Sequence, residues 1–213
     1  MIRPSILYED DYLLVVDKPA GVVVHPTYKN PDGTLLDALP AGTRIVTRLD
    51  KGTSGLVVVA KSAEMHARLQ QTLAEPDAEK FYVAVVDGIA DERGVISDPL
   101  ASDPHDRRRR IVAPYGAVSI TEFERLVRTD EMSLLRCRLR TGRRHQIRVH
   151  LASRGWPIVG DAVYGRSLDG FERIALHASR VRFTHPATGR IVEIASPAAE
   201  LTHLSDTFDQ FLR

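Results

Sequence analysis

Short apolar runs recur along the chain and predict β-strands. Four runs begin near residues 12, 56, 81 and 133, and two more lie at residues 174–183 and 190–196. They are rich in valine and isoleucine and short, which is typical of strands rather than helices. Because these runs outnumber the helical segments and do not alternate strictly with them, the pattern predicts an α+β fold. We expect a central mixed, mainly antiparallel sheet flanked by helices.

The segment from residue 134 to residue 140 alternates regularly between apolar and basic residues. One face would carry Leu135, Cys137 and Leu139, and the other would carry Arg136, Arg138 and Arg140. A period of two predicts a half-buried strand, in this case with a cationic outer face. Since Cys137 lies on the apolar face, it is predicted to be a small core residue rather than a nucleophile.

Helical spacing is found in three segments. Residues 63–75 follow Ser62, a candidate N-cap, and place three apolar residues on one face: Met65, Leu69 and Leu73. Residues 144–155 end on Gly155, which suits the position just beyond a helix. After Pro197 the tail has four apolar residues at helical spacing: Leu201, Leu204, Phe208 and Phe211. No repeat, low-complexity tract or linker interrupts the chain, so a single domain over residues 1–213 is predicted.

The composition is that of an ordinary soluble globular protein of 213 residues, with 43% hydrophobic and 27% charged residues. No apolar stretch reaches the roughly 18 residues that a membrane span needs. The N-terminal residues include acids where a signal peptide would have its apolar core. The one cysteine excludes an internal disulfide and fits a reducing cytoplasm. We therefore expect a cytoplasmic protein that acts as a monomer and has no membrane partner.

Charge is unevenly distributed, although the formal net charge is only +1. Only five of the 29 basic residues are lysines, and arginine offers planar, bidentate contacts to phosphates. Residues 136–154 contain seven arginines, two histidines and no acid, and a second cluster reads HDRRRR at residues 105–110. Solvated faces usually mix both signs, so the two clusters predict a polyanionic partner. A codon bias toward arginine and a merely solvated loop at 105–110 are the alternatives.

The sequence argues against several common kinds of site. His145 and His150 are five residues apart, no HExxH is present, and one cysteine cannot form a CxxC pair. We therefore expect no metal, and we expect these two histidines to be structural. No GxxxxGK[ST] or GxGxxG motif is present, so a nucleotide cofactor is not expected either. Ser54 is not part of a GxSxG elbow, which leaves acyl-transfer hydrolysis without support.

The segment RLDKGTSGLVVVAKS, residues 48–62, places a carboxylate between two cations and shortly before an apolar strand. Arg48 and Lys51 flank Asp50, and a neighbouring arginine favours the ionised form of a carboxylate. Such a carboxylate can act as a nucleophile or as a base. The small residues at 52–55 would let a large ligand approach the backbone closely. The residues alone leave two interpretations open: a surface turn with a weak ion pair, or a held, ionised nucleophile.

The same segment resembles the catalytic motif of the RluA-like RNA pseudouridine synthases, in which Arg-Leu-Asp is followed by Thr-Ser-Gly and a hydrophobic strand. Four other segments resemble further motifs of that family: DKPAGVVVHP at 17–26, KFYVAVVDG at 80–88, TGRRHQIRVHLASRGWPIVGDAVYG at 141–165 and ALHASRVRFTHPATG at 175–189. On these ordered matches the chain is identified as a member of the family. The resemblance implies the pseudouridine synthase fold and an enzyme that isomerises a uridine of ribosomal or transfer RNA without a cofactor.

The resemblance also implies roles for individual residues. Asp50 falls on the essential aspartate, and Arg48 falls on the arginine associated with displacing the target nucleotide from its stack. Tyr82 falls on the aromatic residue that packs against the target base, and Arg148 falls on the arginine paired with the catalytic aspartate. Four arginines of the basic clusters are expected to contact RNA: Arg108, Arg109, Arg143 and Arg144.

The chain departs from the family pattern in two respects. Thr47 stands where the family usually has histidine. No S4 RNA-binding domain precedes the motifs, so we expect a minimal, single-domain member.

A non-catalytic RNA-binding protein on the same fold is the alternative function. A glycosidase would need a second carboxylate as general acid, for which Asp161 is the candidate.

Overall fold

The computed structural model describes residues 4–165, 173–199, 201 and 208. Within these residues the chain forms twelve β-strands and two α-helices. The strands are β1 (Ser5–Glu9), β2 (Leu13–Lys18), β3 (Arg44–Ile45), β4 (Ser54–Ala60), β5 (Glu79–Asp87), β6 (Arg93–Ile96), β7 (Leu100–Ser102), β8 (Arg110–Val112), β9 (Thr121–Arg128), β10 (Met132–Leu139), β11 (Leu176–Thr184) and β12 (Ile191–Ala195). The helices are α1 (Ala63–Thr72) and α2 (Gln146–Ser153), and Leu36–Ala38 form a turn of 3₁₀ helix. The predicted α+β class is confirmed, and each apolar run forms a strand.

The chain folds as two compact units. The first contains residues 1–80 and 178–196, and the second contains residues 81–177 and 197–213. The expectation of a single domain over the whole chain stays a prediction. No helix in the described part of the chain is long and apolar enough to cross a membrane.

The first unit is built on a sheet with the strand order β1-β2-β4-β11. The pairings of β1 with β2, β2 with β4, β3 with β4, and β11 with β12 are antiparallel. Residues 13–16 of β2 and every residue of β4 are buried, so both faces of these strands are covered. One of these faces packs against a cluster that includes Val24, Leu35 and Ile45.

Helix α1 begins at the predicted cap. The Ser62 hydroxyl accepts the N–H of Met65 at 3.1 Å and so satisfies one of the donors that a helix N-terminus leaves unpaired. Met65, Leu69 and Leu73 are buried, as their spacing predicted. The helix therefore covers the first unit's sheet, where it lies against β3 and β4.

The second unit contains an antiparallel sheet with the strand order β5-β10-β9-β6 and a separate hairpin of β7 and β8. Helix α2 lies against β8 and β9. It ends, as predicted, just before Gly155, whose φ of +83° is left-handed. Of the predicted C-terminal helical face, Leu201 and Phe208 are buried in this unit's core. Leu204 and Phe211 lie outside the described residues.

Strand β10 alternates as predicted, but its outer face is not a row of unpaired cations. Leu135, Cys137 and Leu139 are buried. On the other face Arg136 forms an ion pair with Glu124 of β9. Arg140, just beyond the strand, pairs with Glu122 at 2.8 Å. The expected cationic face is therefore largely neutralised, because β9 places a carboxylate beside each of these two arginines.

Candidate active site

The loop between β3 and β4 carries Arg48 and Asp50. The Asp50 carbonyl accepts the N–H of Thr53 at 3.1 Å, which closes a turn directly before the buried strand. Arg48 is exposed, whereas Asp50 is half-buried. The Asp50 backbone is therefore anchored directly before a buried strand, while the residue keeps part of its surface accessible.

Lys18 anchors this loop from the end of β2. Its side chain is 0% exposed, and its ammonium donates to the carbonyls of Pro19 and Val22, both at 2.9 Å, and of Lys51 at 3.4 Å. The Lys51 carbonyl also accepts the N–H of Gly21 at 2.8 Å. Hydrogen bonds from a buried cation are strong, so Lys18 fixes the backbone next to Asp50. Sequence reasoning missed this role; the resemblance of residues 17–26 to a family motif was its only signal.

Gly55 of the Thr-Ser-Gly motif serves packing rather than ligand approach. Its φ is +105°, and a Cβ at this position would overlap the carbonyl oxygen of Ala178 on β11. Thr53 and Ser54 are buried as well. The expectation that small residues leave room for a ligand is therefore wrong at Gly55, because the Ala178 backbone occupies that space.

Thr47, at the position of the family's usual histidine, ties the start of the loop to β4. Its hydroxyl accepts the N–H of Val58 at 2.9 Å, and its own N–H donates to the Val58 carbonyl at 3.3 Å. The side chain therefore acts as a neutral acceptor in the sheet, a role that needs no charge.

His25, from the first of the resembling segments, lies close enough to Arg48 for their charges to interact. Burial lowers the pKa of the His25 imidazole, and the positive charges of Arg48 and His66 lower it further. His25 is therefore neutral at neutral pH and adds no repulsion to Arg48.

Arg148 lies in helix α2 and is paired with Asp161. Its Nε and Nη2 donate to Oδ2 and Oδ1 of Asp161, both at 2.8 Å, and both side chains are buried. Asp161 Oδ1 also accepts the N–H groups of Val163 at 2.9 Å and Tyr164 at 3.2 Å. The expected pairing of Arg148 with Asp50 stays a prediction.

This pairing determines the protonation state of Asp161. Burial raises the pKa of the Asp161 carboxyl, but the hydrogen bonds and charge of Arg148, with the two backbone N–H groups, outweigh burial and hold the pKa below its ordinary value. The carboxyl is therefore ionised at neutral pH. It is unsuited to the general-acid role that a glycosidase would require.

Tyr82 lies on β5, opposite Cys137 of β10, and is half-buried against the core of the second unit. A half-buried ring keeps part of its surface available for stacking.

Cys137 is fully buried, and burial raises the pKa of its thiol to about 12. This confirms that Cys137 is a core residue, because a thiol with that pKa has almost no thiolate at neutral pH.

The two basic clusters predicted from the sequence meet on the second unit. Nη1 and Nη2 of Arg144 lie 3.4 and 3.3 Å from the carbonyls of Arg107 and Arg108. Four exposed residues make up this arginine surface: Arg107, Arg108, Arg143 and Arg144. The Arg108 guanidinium is also paired with Asp106 at 2.7 Å, which offsets part of its charge.

Arg109 differs from its neighbours because its guanidinium contacts protein groups, although part of the side chain stays exposed. Its Nη1 donates to the Val163 carbonyl at 2.7 Å, and its guanidinium carbon lies 5.1 Å from the centre of the Tyr164 ring. The sequence did not indicate this structural role. A contact between Arg109 and RNA stays a prediction.

His150 is structural, as predicted. It is buried, with Nδ1 2.9 Å from the Thr121 hydroxyl and Nε2 3.0 Å from the Asp98 carbonyl. Burial lowers the pKa of its imidazole, so the ring is neutral at neutral pH. Among the described residues no three histidine, cysteine or acidic side chains form a group that could hold a metal ion.

Comparison with known proteins places these features in a family. The profile of the family described as RNA pseudouridylate synthase matches residues 12–153. The ribosomal large subunit pseudouridine synthase D of Xanthomonas campestris pv. campestris is 40% identical over 92% of this chain and 66% of its own length. The protein of the same name from Pseudomonas aeruginosa is 40% identical over 93% of this chain and 69% of its own length. This chain thus spans about two thirds of these relatives.

A solved structure agrees with these matches. The structure titled Human RNA Pseudouridylate Synthase Domain Containing 1 superimposes with a TM-score of 0.79 at 29% identity, covering 96% of this chain and 87% of the human one. The predicted pseudouridine synthase fold is thereby confirmed. The chain therefore belongs to the RNA pseudouridylate synthase family, as the order of its motifs predicted.

Proposed function

We propose that this protein isomerises a uridine of RNA to pseudouridine, with Asp50 as the essential carboxylate. In this reaction the N1–C1′ bond breaks, the base turns, and C5 bonds to C1′; C5 loses a proton and N1 gains one. The observation that carries the proposal is the segment RLDKGTSG, which precedes the buried strand β4 in a chain that belongs to the family.

The chemistry explains why an ionised carboxylate is needed. Breaking a glycosidic bond develops positive charge at C1′, which a carboxylate stabilises or bonds to. Attack of Asp50 on C1′ and removal of the 2′ proton to give a glycal both require this ionised form. In the proposed site Arg148 pairs with Asp50 and favours that form, as the family resemblance implies.

Two further side chains would handle the nucleotide itself. A uridine within a helix or a stacked loop must leave its stack before an enzyme can act on it. Arg48 is exposed, and its cationic side chain would fill the space that the displaced uridine leaves in the stack. Tyr82 offers a flat surface on which the base can turn, whereas a set of fixed hydrogen bonds would resist that rotation.

The arginine surface would bind the RNA backbone. Its residues are exposed and belong to two segments that the fold brings together. Neutralising phosphates releases counterions, so binding through these side chains should weaken as salt rises. The names of the relatives support RNA of the large ribosomal subunit as the substrate, in preference to transfer RNA.

The proposal includes no cofactor and no metal, because the isomerisation involves no net oxidation or reduction and every heavy atom of the product comes from the uridine. It also keeps the expectation of a cytoplasmic monomer. The single cysteine of the chain supports a reducing compartment.

The test maps pseudouridine in cells that lack the gene. Carbodiimide-based sequencing of ribosomal and transfer RNA would be repeated after complementation with wild type, Asp50→Ala or Asp32→Ala, an exposed aspartate of the same unit. We expect one site to disappear in the deletion strain and to return with wild type and Asp32→Ala, but not with Asp50→Ala. If Asp50→Ala also restores the site, Asp50 is not essential. If no site changes, the non-catalytic RNA-binding function replaces this proposal.

A further inference from the structure

Tyr164 lies at the centre of a network of hydrogen bonds and ring contacts in the second unit. None of the roles proposed above involves this tyrosine. Its hydroxyl accepts the backbone N–H of Arg110 at 2.6 Å and lies 2.9 Å from Nδ1 of His145. The guanidinium carbons of Arg109 and Arg148 each lie 5.1 Å from the centre of its ring. One half-buried side chain thus contacts the loop that carries the arginine surface, the residue before helix α2 and the arginine within that helix.

The position of Tyr164 is set by the carboxylate that holds Arg148. Asp161 accepts the backbone N–H groups of Val163 and Tyr164, and its own carbonyl accepts the N–H of Gly165 at 2.9 Å. These bonds close a turn over residues 161–165. Movement of the Tyr164 ring would therefore disturb the turn and the Arg148 ion pair together.

His145, which contacts Tyr164, has an unusual backbone conformation. Its φ of +59° is the one left-handed value among the non-glycine residues that the structure describes. Such a conformation costs on the order of 1 kcal/mol and persists only where its surroundings impose it. The Tyr164 hydroxyl and an edge-to-face ring contact at 5.6 Å hold the His145 ring. Arg144 of the arginine surface directly precedes His145, so a change in the His145 backbone would redirect Arg144.

We propose that Tyr164 is a positioning residue that couples the arginine surface to Arg148. Its hydroxyl orients the surface through Arg110 and His145, and its ring supports the guanidinium of Arg148. The inference rests on the proposed function, because only a bound RNA makes the orientation of the surface matter for catalysis.

The test separates the hydroxyl from the ring. Tyr164→Phe keeps the ring and loses the hydroxyl, Tyr164→Leu loses both, and Tyr12→Phe is the matched control because the Tyr12 ring packs edge-on against His185 in the first unit. Each protein would be assayed by tritium release from a large-subunit ribosomal RNA transcript labelled at uridine C5, and by filter binding between about 50 and 200 mM salt.

We expect Tyr164→Phe to raise KM and the RNA Kd about 3- to 10-fold, with kcat within about twofold of wild type, because hydrogen bonds of this kind contribute about that much. The slope of log Kd against log salt should fall by about one for each phosphate that the variant no longer neutralises. Tyr164→Leu should lower kcat as well, and Tyr12→Phe should match wild type. A purely structural role would reduce only the active fraction and leave Kd and the salt slope of the folded protein unchanged.

A double-mutant cycle with Arg108→Gln completes the test. If Tyr164 orients the surface, removing the Arg108 charge should weaken binding less in the Tyr164→Phe protein than in wild type. Additive effects of the two substitutions on the RNA Kd would overturn the inference, and so would a Tyr164→Phe protein with wild-type KM and salt slope. In either case an active wild-type protein would leave the proposed function intact. If wild type releases no tritium, the proposed function fails and the coupling is judged from binding: a reduced salt slope supports it, and an unchanged slope overturns it.

Discussion

Arg148 and Asp161 form a two-point ion pair inside the second unit, with both N–O distances at 2.8 Å. The Arg148 side chain is 10% exposed and the Asp161 side chain 1%. Removing charges from water is costly, so such a pair adds little net stability, whereas loss of one partner leaves a buried charge uncompensated. The Asp161 carboxylate therefore holds two nitrogens of the Arg148 guanidinium in fixed positions.

Asp161→Asn should lower the free energy of unfolding by about 3 kcal/mol, because the buried Arg148 guanidinium loses the negative charge that accepts two of its hydrogen bonds. Urea denaturation followed by circular dichroism measures the change. Asp130→Asn is the control, since Asp130 is exposed and its loss should change stability by less than about 0.5 kcal/mol. Equal midpoints for the two variants would show that the pair does not hold Arg148.

Asp161 should also make the wild type sensitive to acid. Its pKa is below the ordinary value of 3.8 in the folded protein, so its contribution to stability is complete above that value and is lost as pH falls through the folded pKa. Unfolding midpoints between about pH 2 and pH 7 would therefore fall more steeply at the acid end for wild type than for Asp161→Asn. Parallel curves would contradict the lowered pKa.

Lys18→Met should destabilise the first unit by about 3 kcal/mol, because carbonyls that accept from the buried ammonium lose a charged donor. The kcat should fall too, since the Lys51 carbonyl next to Asp50 is one of them. Lys29→Met removes an exposed ammonium and serves as the control. Denaturant titration and the tritium-release assay give the two readouts, and a Lys18→Met protein as stable as Lys29→Met would rule out the anchoring role.

Gly55→Ala separates steric overlap from backbone strain. Gly55 and Gly42 both have positive φ, +105° and +87°, but only at Gly55 would a Cβ meet another strand. Gly42→Ala should cost about 1 kcal/mol from its left-handed backbone, and Gly55→Ala about 3 kcal/mol, because Ala178 must also move. Thermal unfolding compares the two, and similar melting temperatures would show that β11 yields easily at this point.

Cys137 should not react with iodoacetamide in the native protein at pH 7 to 8, because its thiol is buried and its pKa is about 12. In about 6 M guanidinium chloride the thiol should react at the rate of a free cysteine. Mass spectrometry before and after unfolding measures this. Rapid labelling of the folded protein would mean that β10 opens locally.

Local patterns predicted the secondary structure well because each depends on residues close together in the chain. The Ser62 cap, the buried face of α1 and the alternation in β10 follow from the spacing of neighbouring side chains. Asp50 was found for the same reason, since Arg-Leu-Asp and Thr-Ser-Gly are contiguous.

The supporting residues were not predicted because their partners lie far away in the sequence. Lys18 binds a carbonyl 33 positions along the chain, and Arg109 binds one 54 positions along. Asp161 was considered only as an acid, whereas the fold makes it the ionised partner of Arg148. No spacing rule reveals such pairs, because they form only when separate elements pack together.

By itself the sequence determined the family, the α+β class, most strands and helices, and the segment around Asp50. Tertiary structure decided which charged side chains remain unneutralised and which small residues pack against another strand. Arg136 and Arg140 are neutralised by glutamates on β9, and β11 covers the face of Gly55 that the sequence left open. The physical reason is that periodicity records which residues avoid water, whereas the register between strands decides which side chains meet.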